Sequence, residues 1–176
     1  MTPHPVRAVA LPAESDIAHL FAGAHLADAF AITLPADAPQ DTELLARAVL
    51  GDPAPWFRAL LACRDAIVGP FGVKTSARIR RELGRGGSAR HIDFFPIVAR
   101  HPKELVVGEE DRHLDFRASL LQRASADGQG RELVMTTAVH CHNLFGRVYL
   151  FVISPFHRLV VRSALARAAA RGWRGG

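Results

Sequence analysis

Cysteine is scarce in this 176-residue chain: Cys63 and Cys141 are the only two, and they form neither a CxxC pair nor a zinc-like spacing. A disulfide framework is therefore not expected. Lysine is equally scarce. Of 22 basic residues only Lys74 and Lys103 are lysine, so the net charge of +5 is carried by arginine. The densest run, Arg78, Arg80, Arg81, Arg85 and Arg90, lies among glycines with no interleaved aromatics of the kind that stack bases. It reads as a solvated loop, and no nucleic-acid partner is expected. No apolar run approaches the roughly 20 residues that span a bilayer, and the longest, Val148 to Ile153, is far shorter. The opening MTPHPVRAVALPAESD has no signal-peptide core. The expectation is a cytoplasmic protein with no membrane span and reduced thiols. A GxGxxG fingerprint is also missing, so no dinucleotide cofactor, and no other cofactor, is expected.

What is present is ordinary globular material, 49% hydrophobic and 22% charged, enough for one sizeable core. Residues 1–176 read as one domain with loosely ordered ends and a mobile loop at 74–90. Ser15 reads as the cap of a short helix to about Ala24, with Ile17, Leu20 and Phe21 spaced to bury one face. Ala29 to Leu34 reads as a strand that stops at Pro35. Asp41 caps a helix through ELLARAVLG, and after Pro53 and Pro55 a second helix continues through Trp56, Leu60 and Ile67 to Gly69. HIDFFPIVAR, KELVVGEE, RHLDFRASLLQRA and RELVMTTAVHCH then alternate as an antiparallel meander of at least four strands.

The remainder, Leu144 to Arg171, fits one long amphipathic helix. Its inward stripe reads as Phe145, Val148 or Tyr149, Val152, Phe156 and Leu159 or Val160, with Arg147, Ser154, Arg158 and Arg162 outside. Pro155 removes one backbone hydrogen bond and predicts a kink. A sheet with one apolar face is well covered by such a helix, so the fold class is α+β, a curved antiparallel sheet wrapped around a long carboxy-terminal helix.

Pairing 112–123 with 132–142 around a turn near Asp127 and Gly128 sets Asp115 opposite His140 and Arg117 opposite Ala138, with His113 near His142. His113, Asp115, Arg117, His140 and His142 then share a polar face from which Cys141 points away. Three readings stand: a solvated outer face, the polar edge of a ligand cavity, or a metal site, since histidines and a carboxylate suit zinc or iron. As acid-base candidates, His113, Asp115 and His142 are the catalytic group, Asp115 orienting an imidazole. His157 reads as a satisfied interfacial histidine, and Asn143 and Gly146 as strand exit and helix entry.

These same stretches carry a likeness. LADAFAITL (26–34), PWFRALLACRDAIV (55–68), VVGEEDRHLDFRASLL (106–121), HNLFGRVYL (142–150) and PFHRLVVRSAL (155–165) resemble the bacterial domain of unknown function 2867. That family is similar to the START-like, or helix-grip, superfamily. The resemblance implies an apolar cavity between sheet and long helix. His140 lies outside the family pattern, so no metal is expected. The expected function is binding of a small hydrophobic molecule, with Trp56, Phe116, Arg117, Met135, Val139, Tyr149 and Phe156 as ligand-binding residues. The rival expectation is a cyclase, isomerase or hydrolase using Asp115 and a neighbouring histidine in that cavity; a homodimer, and an acidic partner for the arginine-rich loop, stay open.

Overall fold

Asp41 shows how closely local chemistry sets the elements. Its carboxylate accepts from the Glu43 amide at 2.7 Å and starts α1 (Thr42–Leu50), a cap that contributes about 1 kcal/mol. The computed structural model describes residues 5–57, 59, 90–126, 128 and 130–174. The strands are β1 (Arg7–Ala8), β2 (Leu26–Leu34), β3 (His91–Ile92), β4 (Phe95–His101), β5 (Glu104–Glu110), β6 (Leu114–Ala124) and β7 (Arg131–Cys141). They form one antiparallel sheet in the order β1-β2-β7-β6-β5-β4-β3, followed by the helix α2 (Leu144–Ala170). The architecture is α+β, a seven-stranded antiparallel sheet with a carboxy-terminal helix, and the meander falls where the alternation of the sequence puts it. The second helix expected over 55–69 is helical at 55–57 and 59; its other residues, Cys63 and the arginine-rich stretch from Lys74 to Ala89 lie outside the described residues.

One face of the sheet carries the main core. Phe30, Ile32 and Leu34 of β2, Leu105 and Val107 of β5, Leu120 of β6 and Leu133 and Met135 of β7 pack against Leu45 and Val49 of α1 and Val161, Leu165 and Ala168 of α2. Each fully buried leucine or isoleucine there contributes about 2 kcal/mol. The opposite face is covered by irregular chain. Val9 and Leu11 lie over Ala29, Ala31, Leu121 and Val134, while Ile17, Leu20 and Phe21 lie over Val106 and Ala138.

Two expectations change here. Ser15 does not cap a helix through Ala24; only a 3₁₀ turn at Ala18–Leu20 forms. The Ser15 hydroxyl is buried and donates to Glu104 Oε1 at 2.5 Å, a carboxylate that also receives the Ser119 hydroxyl. A buried carboxylate must be bonded, and that demand overrides the local capping role. The long helix has the expected length and runs through Pro155, but its phase differs. The side turned to the sheet is Gly146, Leu150, Val161, Leu165 and Ala168, whereas Val148, Val152, Phe156 and Leu159 are exposed. Apolar residues occur on both sides of this helix, so its period cannot choose which side is buried. Two specific contacts choose instead. Gly146 lets the first turn sit against the His113 carbonyl, where a Cβ would come within 2.2 Å, and His157 reaches Asp28 of β2.

Candidate functional site

The β6–β7 hairpin places the polar residues. Its turn closes with Ser125 N–H donating to the Gly130 carbonyl at 3.0 Å, and Gly128 and Gly130 take positive φ that other residues would strain to adopt. The resulting register pairs Leu114 with Cys141, Asp115 with His140 and Arg117 with Ala138. Cys141 consequently faces α2, beside Val139 and Leu150, and burial pushes its thiol pKa up while Arg147 pulls it partly back. Burial of this kind disfavours the thiolate, the reactive form of cysteine. Asp115, Arg117 and His140 point to the other face.

On that face a cleft of about 410 Å³ opens between the 3₁₀ turn and the sheet. Ile17, Leu20, Val98, Val106, Phe116 and Ala138 give it apolar walls, and Asp16, His19, Glu110, Asp115, Arg117 and His140 give it a polar rim. Gly108 makes room for the rim. It is paired with Arg117 across β5 and β6, and the arginine lies over it to reach Glu110 at 2.5 Å. A Cβ at Gly108 would fall 2.4 Å from the Phe116 carbonyl and 2.6 Å from Arg117 Cδ.

Hydrogen bonds assign the histidines different tasks. His140 Nε2 lies 2.8 Å from the Leu20 carbonyl, which can only accept, so this ring donates and ties the 3₁₀ turn to the sheet. His142 Nε2 lies 2.9 Å from Asp115 Oδ2, both partly exposed, while Asp115 Oδ1 accepts from the Asp111 amide at 3.3 Å. His113 belongs elsewhere: its Nδ1 accepts from Asn143 Nδ2 at 3.0 Å and its ring packs on Phe145. Asn143 Oδ1 meanwhile accepts from the Gly146 amide, which makes Asn143 the cap of α2. Of the three catalytic candidates, Asp115 and His142 are brought together and His113 supports the helix start. Among the described residues no three metal-ligating side chains converge.

The expected ligand residues stand in different places. Phe116, Met135 and Val139 face α2 within apolar packing, joined by Leu150 and Ile153, with Phe95 edge-on to Phe116 at 6.1 Å. Tyr149 is half-buried on α2. Arg117 lies on the opposite face, in the cleft. Trp56 is 38% exposed beside Phe57, and Phe156 points outward from α2 at 49% exposure. Phe116, Met135 and Val139 thus share the face turned to α2, and Arg117 stands on the other. Asp115 stands on the face away from α2, whereas His113 packs on Phe145 at the helix start.

One pair was absent from the sequence reading. Asp28 of β2 faces α2, and its Oδ1 lies 3.1 Å from His157 Nε2, with the side chains only 12% and 18% exposed. Asp28 Oδ2 is buried without a hydrogen-bond partner, and Arg158 Nε stands 3.9 Å away. The signal lay in LADAFAITL, where a lone carboxylate occupies an inward position of an otherwise apolar strand.

These contacts join the quoted blocks in space: HLDFR to HNLFG through Asp115 with His142 and Asn143 with His113, LADAF to PFHRL through Asp28 with His157. Together they define an α+β protein whose sheet is closed by a long helix on one face and opened by a mixed apolar and ionic cleft on the other. The chain belongs to the family described as a protein of unknown function, DUF2867, whose profile matches residues 20–164. No curated protein and no solved structure matches it.

Proposed function

We propose that the chain binds a small, largely apolar molecule in the cleft beneath the 3₁₀ turn, with the polar end of the ligand at the Asp115 and Arg117 rim. The observation that carries this reading is the lining itself. Ligand sites are commonly about 300–1,000 Å³, apolar over most of their surface, with a few convergent polar groups. Three carboxylates against one guanidinium favour a ligand whose polar end donates hydrogen bonds, an amine or a hydroxyl. The order of strands and the closing helix support reading the fold as helix-grip, which is the finer form of the architecture described above.

Native mass spectrometry of purified protein tests the reading, with Val98→Trp as the control. Val98 is 50% exposed at the cleft, so a tryptophan there fills the space without entering the core. The expected result is a copurified small molecule on the wild type and none on Val98→Trp, at unchanged melting temperature. Protein free of any ligand, or equal retention by both, refutes the proposal.

A second reading follows from the Asp115–His142 contact. A carboxylate holding an imidazole at 2.9 Å beside a cleft is an arrangement used in general base catalysis. If the bound molecule is turned over, His142→Gln, at a residue outside the cleft lining, lowers the rate by about a hundredfold or more and leaves retention of the molecule intact.

A further inference from the structure

Helix α2 is apolar on two opposite sides, and the sheet uses only one. Leu144, Val148, Phe151, Val152, Phe156 and Leu159 all face outward, Phe151 with 81% of its surface exposed. Their spacing keeps them on a single stripe opposite Leu150 and Val161. Scattered surface leucines need no explanation, but a continuous stripe of six large apolar residues marks a contact site.

The charges that α2 itself carries beside the stripe are of one sign. Arg147, Arg158 and Arg162 run along one edge at helical spacing, and beyond Glu132 the chain has six arginines and no Asp or Glu. By length and composition α2 could cross a membrane. Its inner side is already occupied, however, by Leu150, Val161, Leu165 and the His157–Asp28 pair. A helix committed on one side can enter a bilayer only by lying in its surface.

We propose that the outward face of α2 docks on an anionic lipid surface, its Leu, Val and Phe side chains entering the boundary between headgroups and acyl chains and its arginines meeting the phosphates. A second copy of the chain is a poorer occupant. Antiparallel pairing of two such faces sets arginine edge against arginine edge, with no carboxylate on either helix to offset them. This surface lies across the sheet from the cleft, so the proposal stands or falls independently of the ligand reading.

Cosedimentation of the full chain with phosphatidylcholine vesicles, with and without phosphatidylglycerol, tests it. Wild type is expected to bind the anionic vesicles at least tenfold better than the neutral ones. Phe151→Asp, and Arg147→Glu combined with Arg158→Glu, should each lower that binding about tenfold or more, since each arginine near an anionic surface accounts for a factor of about five. Phe151, with 81% of its surface exposed, predicts an unchanged melting temperature for Phe151→Asp. Phe151→Trp supplies a readout free of any folding defect: its emission should shift to the blue on anionic vesicles, beyond the wild-type change. No binding by wild type, equal binding to neutral vesicles, or binding indifferent to Phe151→Asp overturns the proposal. A dimer that Phe151→Asp dissociates and that ignores vesicles overturns it too, and assigns the face to a second copy.

Discussion

On one side of the sheet, α1 and α2 cover aliphatic rows with aliphatic side chains; on the other, irregular chain between Val9 and Phe21 lies over alanines and valines held by buried ionic contacts. Helices satisfy their own backbone, so they need only an apolar surface beneath them. Irregular chain does not. The Asp16 amide must find Glu104 Oε2 at 3.0 Å, and the Leu20 carbonyl must find His140. Glu132, fully buried, is held by Arg7 and by Arg123 at 2.8 Å, and Arg123 also reaches Glu14. Pegs of this kind fix a covering at points instead of along a surface, and the space between points is where the cleft lies. The difference explains why polar chemistry collects on the face without the helix.

Substitutions can break this contrast in order of severity. Gly146→Ala should be worst, because its Cβ meets backbone, not a movable side chain; a loss of about 3 kcal/mol or more is expected in urea unfolding. A wild-type midpoint would mean that α2 is not seated on the His113 carbonyl. Arg123→Met comes next, at about 2 kcal/mol, since it strips one cation from a buried carboxylate on the pegged face. Hydrogen exchange should rise there in residues 9–21 and leave α2 unchanged. The two aspartates sharpen the comparison further. Asp28→Asn, beneath the helix, should cost about 1 kcal/mol, and Asp115→Asn, at the open rim, less than about 0.5. Equal costs would erase the distinction between the faces.

The smallest effect is one of pH. Glu43 is held below its ordinary value of 4.5 by hydrogen bonds from Arg47 and Arg100. Its folded value lies below the unfolded one, so its stabilisation is fully present above about pH 4.5 and is lost as pH falls through the lower folded value. Glu43→Gln should therefore lower the melting temperature by a degree or so at pH 7, an exposed-pair effect, and leave it unchanged in strong acid.

Much of the sheet was legible because alternation and turn chemistry are local signals. The hairpin register, Asp115 to His140 and Arg117 to Ala138, follows from two alternating rows and one glycine turn. Asp41 and Asn143 announced their helices for the same reason. The phase of α2 was not legible, since a helix apolar on both sides has no preferred side until Gly146 and His157 find partners. Nor were the pegs: Ser15 and Glu104 are 89 positions apart, and His157 and Asp28 are 129 apart. No window along the chain contains both members. The cleft was legible only as a polar face, because its apolar walls come from the irregular segment whose packing has no period.

The strand order also has a temporal side. β7 joins β6 through a short turn, but its other neighbour is β2, which precedes it by about a hundred residues. Among the described residues, β2 pairs otherwise only with the two-residue β1. During synthesis LADAFAITL therefore emerges early and waits as an apolar strand with one open edge until residue 141 has been made. Closing so long a loop is slow, and an unpaired apolar strand invites aggregation meanwhile. The meander is expected to assemble first, with β2 and the chain laid over it docking last.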